Sequence, residues 1–215
     1  MLDFPKSTLF NKRIPKQKFY EQLSVSKRLE QQFVKEIDTI YWKYKLSSET
    51  LNTTVGTNVT EIEVFEISLK EQNISKNVIE VIDREIPYHL VFVFRYNEYG
   101  QIWMSFKEES KSREGKFKVD SYYTTEWLMY EDLSLTIEGL NLDKIYENFL
   151  IQVAGGKLQI ENGIEIKDAV SKAKEREKLE TLINKLEAKI NNEKQFNRQI
   201  KLIGELRKAK EQLGK

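Results

Sequence analysis

Apolar residues recur along this chain in two rhythms. Leu29, Phe33, Ile37 and Ile40 fall at spacings of 4, 4 and 3, one face of a helix, with Ser24 or Ser26 placed to cap it. This predicts a helix from the serines to about Tyr44, preceded by an extended arm over residues 4–15 and a short helix over 16–23. Over residues 59–69 the rhythm changes to alternation. Glu61 and Glu63 interleave with Ile62 and Val64, and the phase slips by one at Phe65, as at a bulge or in a strand covered on both faces. Ser75 can cap a helix over 76–84 whose Val78, Ile79 and Ile82 point inward, and Pro87 stops it. Residues 88–96 are nearly continuous in aromatic and β-branched side chains, the mark of a central strand. Asn97-Glu98-Tyr99-Gly100 then predicts a hairpin turn into a strand over 101–107. Further strands are expected over 118–128 and 133–137. Leu142, Ile145, Phe149 and Val153 mark a last body helix, ended by Gly155-Gly156. The expected body, residues 1–165, is α+β, with a mostly antiparallel sheet of four or five strands packed with helices.

Residues 166–215 differ in kind. They hold one aromatic, Phe196, no proline, and dense Lys and Glu. Leu179, Ile183, Leu186 and Ile190 repeat at 4, 3 and 4, a coiled-coil seam. After Asn191-Asn192 the phase breaks, and Phe196, Ile200, Ile203 and Leu206 begin a second stripe. Two helices of roughly 35 and 29 Å, at about 1.5 Å per residue, predict an antiparallel, coiled-coil-like helical hairpin. A single long rod is the competing reading, since neither Gly nor Pro marks the break. Either form has an apolar edge to bury against the body, a partner or a second copy.

Composition narrows the chemistry. Zero cysteines exclude disulfides, thiolate zinc sites, iron–sulfur clusters and a Cys nucleophile, and a single histidine, His89, excludes a multi-histidine centre within one chain. No apolar run reaches the ~18 residues of a membrane span, and no secretory leader is visible, so the expected location is the cytoplasm. The net charge of +1 is unevenly laid out. Residues 1–50 carry 10 Lys/Arg against 6 Asp/Glu, residues 51–165 carry 11 against 20, and residues 166–215 carry 14 against 8. Basic ends around an acidic middle suit either docking on acidic protein or contact with nucleic acid.

Sharper chemistry is scarce. Glu61, Glu63 and Glu66 with Lys70 are the candidates for a Mg²⁺-dependent nuclease, where carboxylates hold the metal and a lysine polarises water. Glu61 and Glu63 share a strand face by period two and Glu66 does not; Glu66 and Lys70 also miss the two-residue interval of that motif. Glu109-Ser110-Lys111 has the interval but falls in a polar loop. No Gly-x-Gly-x-x-Gly or P-loop is present, so no cofactor is expected, and no metal site is assigned. His89, at the start of the most apolar strand, reads as structural. Cations beside aromatics make Lys12, Arg13, Lys16, Trp42 and Tyr123 candidates for nucleic-acid contact. Leu179, Ile183, Leu186, Ile190, Phe196, Ile200 and Ile203 are the candidates for partner binding.

Phe4-Pro-Lys-Ser-Thr8, Asn11-Lys-Arg-Ile-Pro-Lys16, Phe19-Tyr20, Trp42-Lys-Tyr-Lys-Leu-Ser47, Glu61-Ile-Glu-Val-Phe65, Ile86-Pro87, Tyr122-Tyr123, Glu126-Trp127, Leu142-Asp-Lys-Ile-Tyr-Glu147 and Glu193-Lys-Gln-Phe-Asn-Arg198 together resemble one prokaryotic family, domain of unknown function 4391. The likeness spans nearly the whole chain. It implies a small protein encoded beside helicases and DNA methyltransferases of restriction-like, phage-defence gene sets, and it brings no catalytic residue. The expected function is therefore a non-enzymatic accessory subunit that docks a protein partner, such as a helicase or methyltransferase, or a second copy. A divergent nuclease and a stand-alone nucleic-acid binder are the alternatives.

Overall fold

The computed structural model describes residues 2–21, 25–109, 117–158 and 165–214, with 108, 109 and 117 described by backbone alone. The chain divides into two compact units, Met1–Gly156 and Lys157–Lys215. The first unit opens with a 3₁₀ turn, Lys6–Thr8, followed by β1 (Leu9–Arg13), α1 (Gln17–Glu21) and α2 (Lys27–Glu36). Then come β2 (Ile37–Ser47), α3 (Ser48–Leu51), β3 (Glu61–Leu69), α4 (Lys76–Glu85), β4 (His89–Tyr96) and β5 (Tyr99–Glu109). It closes with β6 (Phe117–Thr124), β7 (Leu128–Met129) and α5 (Leu142–Ala154).

The fold is α+β and its sheet mostly antiparallel, but the sheet has seven strands rather than four or five. Its order is β1-β2-β3-β4-β5-β6, with β7 pairing β5. Among the described strands only β3 and β4 run parallel, joined through α4. Three departures account for the difference. The expected arm contains an edge strand, β1. The expected long helix stops at Glu36, and Ile37–Ser47 is a strand. Ser26 does cap α2, accepting from the Leu29 amide, but Ile37-Asp-Thr-Ile-Tyr-Trp is too rich in β-branched and aromatic residues to stay helical once a strand lies beside it. Finally, residues 133–137 form no strand, and β7 precedes them instead.

The sheet is covered on both faces. On one, Phe65, Ile67 and Leu69 of β3 and Phe92 and Phe94 of β4 pack with Phe33 of α2 and Val78, Ile79 and Ile82 of α4. On the other lie Leu46, Ile62, Val64 and Val91 with the inward residues of α5, among them Phe149, on which Phe4 stacks with a 5.7 Å centroid separation. A bulge in β2 makes this two-sidedness possible. Trp42 pairs with Phe65 and Tyr44 with Val64, so Lys43 is the extra residue. The bulge shifts β2 by one, which places Trp42 on the α4 face and Tyr44 on the α5 face. The phase slip that the sequence shows at Phe65 comes from burial of β3 on both faces, the second of the two readings, while the bulge lies in β2.

One ion pair ties α4 to the sheet. Lys107 Nζ of β5 lies 2.7 Å from Asp83 Oδ1, both side chains fully buried. The same ammonium donates to the carbonyls of Asp83 and Tyr88 at 2.7 Å, capping the end of α4, and Tyr122 donates to Asp83 Oδ2 at 2.8 Å. Across the chain, the Asp143 carboxylate of α5 accepts the amides of Thr57, Asn58 and Val59 at 2.7–3.0 Å, pinning the 52–60 loop. Gly56 is required there, since a Cβ would stand 2.2 Å from Asp143 Oδ1.

Removing a partner from a buried pair leaves the other charge uncompensated, at a cost of roughly 3–5 kcal/mol. Lys107→Met is expected to lower the urea-unfolding free energy by about that amount. Replacing both residues, Asp83→Leu with Lys107→Met, is expected to recover part of the loss.

Candidate functional site

Two groups of residues merit description as sites, one in each unit. The first is the acidic row on β3. By alternation Glu61 and Glu63 share the face of Phe65, while Glu66 points to the opposite face. Lys45 of β2 stands opposite Glu63 and pairs with Glu61 at 2.9 Å. Glu63 is 1% exposed and accepts a short hydrogen bond from the Trp42 indole N–H, which also reaches the Tyr44 carbonyl at 3.2 Å. Burial, together with the Glu61 carboxyl beside it, pushes the Glu63 carboxyl up to about 8, against the pull of Trp42 and Lys45. Glu63 thus holds its proton well above the usual carboxylate range, and Lys45 pairs with Glu61 beside it.

Glu66 belongs to a separate cluster on the α5 face. It accepts a short hydrogen bond from the Tyr130 hydroxyl, and Lys43 lies 3.7 Å away. Lys70, just beyond β3, donates to the Val34 carbonyl at 2.9 Å. The structure thus brings Glu61 and Glu63 together, sends Glu66 through the sheet and leaves Lys70 with the end of α2. Lys45 is the lysine beside the acidic pair. Among the described residues, no group of three or more His, Asp or Glu side chains is arranged to hold a metal ion. The Glu109-Ser110-Lys111 triplet lies outside the described side chains.

The aromatic candidates are occupied by packing. Trp42 sits between Phe10 of β1, at 4.2 Å, and Phe65 of β3, at 6.2 Å, as one rung of an aromatic row across the sheet. Tyr123 is 8% exposed. Lys12 and Arg13 are exposed on the edge strand β1, whereas the half-buried Lys16 donates to the Ile37 carbonyl at 2.7 Å. Burial, with Lys70 nearby, lowers the Lys16 ammonium from its ordinary value despite the opposing pull of Asp38. His89 packs edge-on against Tyr146 at 4.4 Å, and burial with the Lys107 charge pushes it down to about 3, so it is neutral at physiological pH.

The second unit holds the other site. Its helices are α6 (Ile166–Asn192) and α7 (Phe196–Leu213), and they pack together. Gln199 reaches the Ile190 carbonyl near the turn, and Lys210 pairs with Glu187 at 2.8 Å. A continuous rod would separate residues 187 and 210 by about 35 Å, so the chain folds back into an antiparallel hairpin. On α6, Ile183 and Leu186 are buried and Leu179 and Ile190 half-buried, as a seam requires. On α7 the sheltered positions are Gln199, Leu202, Leu206, Ala209 and Leu213, a heptad of its own. Phe196, Ile200 and Ile203 fall outside it, at 72%, 53% and 49% exposure. The phase of α7 therefore differs from the stripe read in the sequence. Leu206 belongs to the seam, and the three residues before it form a second, open stripe.

An α+β body with a two-sided seven-stranded sheet, followed by an antiparallel helical hairpin, defines the class of protein. Over residues 2–213 the chain matches the family described as Domain of unknown function (DUF4391), and it belongs to that family. No curated protein and no solved structure matches it. Among the described residues, no helix is long and apolar enough to cross a membrane.

Because the folded state holds the Glu63 proton up to about 8, while an unfolded glutamic acid releases it near 4.5, the native protein binds more protons across that window. Stability should accordingly fall as pH rises through it. Urea midpoints measured across the window are expected to drop further for the natural protein than for Glu63→Gln, which cannot ionise. Parallel curves for the two proteins would contradict the burial argument.

Proposed function

We propose that this chain is an accessory binding subunit of a prokaryotic, DNA-associated system in the cytoplasm. It docks a protein partner through the outer stripe of α7, with the α+β body as scaffold. The exposure of Phe196, Ile200 and Ile203 carries this reading. They stand one turn apart on a single helix face, while the seam of the same helix is filled by other residues. Fully burying side chains of this kind is worth about 1.5–3 kcal/mol each, enough for three neighbours to form the centre of an interface. The docking residues thereby narrow from seven candidates to three, since Leu179, Ile183, Leu186 and Ile190 are engaged along the α6 seam. Family membership adds the expectation that the partner is a helicase or DNA methyltransferase of a restriction-like or phage-defence set.

The test is a Phe196→Glu, Ile203→Glu double variant of the full chain, expressed in its native cell beside the natural protein. Helicity and melting temperature should be unchanged, because neither residue lies in the seam. Partners captured by the natural protein are then purified and titrated against both forms. Binding of one of them, weakened at least about a hundredfold in the variant, is the expected result. Equal binding by both forms would dismiss the stripe as a docking surface.

A further inference from the structure

The hairpin has a second side that docking through Phe196 leaves unused. In two antiparallel helices, the position after each seam residue of α7 lies on the same side as the position after each seam residue of α6. The Glu187–Lys210 pair shows that side directly, since these follow Leu186 and Ala209. Ile200 and Ile203 follow Gln199 and Leu202 and so share it. The positions preceding the seam residues make up the opposite side. On α6 these are Lys178, Leu182, Lys185 and Lys189; on α7 they are Arg198, Lys201, Glu205, Lys208 and Gln212, and all nine are exposed. A groove of about 590 Å³ between the helices agrees with the arrangement: Lys189, Glu193, Arg198, Lys201 and Glu205 are among the residues that line it, and Phe196, Ile200 and Ile203 are not.

This side therefore carries six cations against two acids, Glu205 and, at the groove's end, Glu193. None of the six is ion-paired to a described residue, whereas Arg176, Arg207 and Lys210 off this side are paired with Glu180, Glu211 and Glu187. Lys178 and Lys189 are eleven positions apart, which spreads the charge over roughly 16 Å of helix. No aromatic side chain lies among them, so the face has nothing on which unpaired bases could stack. Its chemistry fits a dense, regular row of phosphates.

We propose that the Lys178–Lys185–Lys189 and Arg198–Lys201–Lys208 side of the hairpin binds the phosphate backbone of double-stranded nucleic acid without sequence preference. It is separate from the docking stripe. Contact with up to six phosphates gives a log–log salt slope no steeper than about −5.

The probe is a fluorescently labelled duplex DNA of mixed sequence, titrated by anisotropy with the full chain over a potassium chloride series. K185E/K189E/K201E is expected to weaken binding at least about tenfold at low salt and to flatten the slope by about 3 units, from the contacts it removes. The milder K185Q/K189Q/K201Q should show the same trend with helicity retained. A control with the same charge change in the first unit, K6E/K27E/R28E, and the docking variant F196E/I203E should both bind as the natural protein does. Loss of duplex binding with intact partner binding then separates this face from the docking stripe. Absence of binding at low salt, equal loss in the two charge-reversed triples, or tighter binding to single-stranded DNA or to polyglutamate would each overturn the proposal.

Discussion

Two packed helices have one seam between them, and the hairpin is organised by that limit. A seam uses two positions in seven on each helix, so any further apolar or charged set must face outward. On α6 and α7 the seam is taken by Leu179, Ile183, Leu186 and Ile190 and by Leu202, Leu206, Ala209 and Leu213. What remains sorts by one residue of phase: the positions after the α7 seam hold Ile200 and Ile203, and those before it hold Arg198, Lys201 and Lys208. A shift of one along the sequence turns a helix by about 100°, which is enough to separate an apolar surface from a cationic one.

The same sensitivity to phase governs the sheet. A single extra residue, Lys43, puts Trp42 and Tyr44 of β2 on opposite faces, and each becomes part of a different core. Glu63 is buried because Trp42 stands on its side of the sheet, and Glu66 is beside Lys43 because the bulge turned that lysine the other way. The acidic residues of β3 therefore do not act as a row. They are two unrelated clusters, each with one carboxyl oxygen held by its own indole or phenol.

Elements dominated by one period were legible in the sequence. The central strand β4, the hairpin into β5, helix α4 ending before Pro87, the Asn141-capped α5 and the break between α6 and α7 all follow from local pattern. What was not legible depended on a neighbour. Ile37 and Ile40 continue a helical spacing from Phe33, and only the presence of β3 alongside decides for strand. Phe196-x3-Ile200-x2-Ile203 is a more conspicuous stripe than Leu202-x3-Leu206-x2-Ala209, since phenylalanine outweighs alanine in any apolar pattern. Yet alanine suits a close approach of two helices, and the bulkier set is left outside. The pairing of Lys107 with Asp83 joins positions 24 residues apart and leaves no local trace. The segmental charge of the tail was visible, but its concentration on one side emerged only once the seam was fixed.

That concentration runs against the interest of the helix itself. Lys185 and Lys189 are four residues apart on an exposed face, a like-charge spacing that destabilises an isolated helix by about 0.2–0.5 kcal/mol. A helix tuned only for stability would place a glutamate at one of the two. This chain does so elsewhere, where Arg176 meets Glu180 and Arg207 meets Glu211 at that spacing. Glutamates are thus available in the same helices and pair with cations off the basic side, while Glu205 and the groove's Glu193 are the two acids set against six cations on it. A solvated surface shaped by composition alone would mix the two signs on every side. Segregation at a cost in helix stability is the pattern of a surface whose charge has a counterpart outside the chain, and the unfilled apolar stripe opposite carries the same implication in a different chemistry.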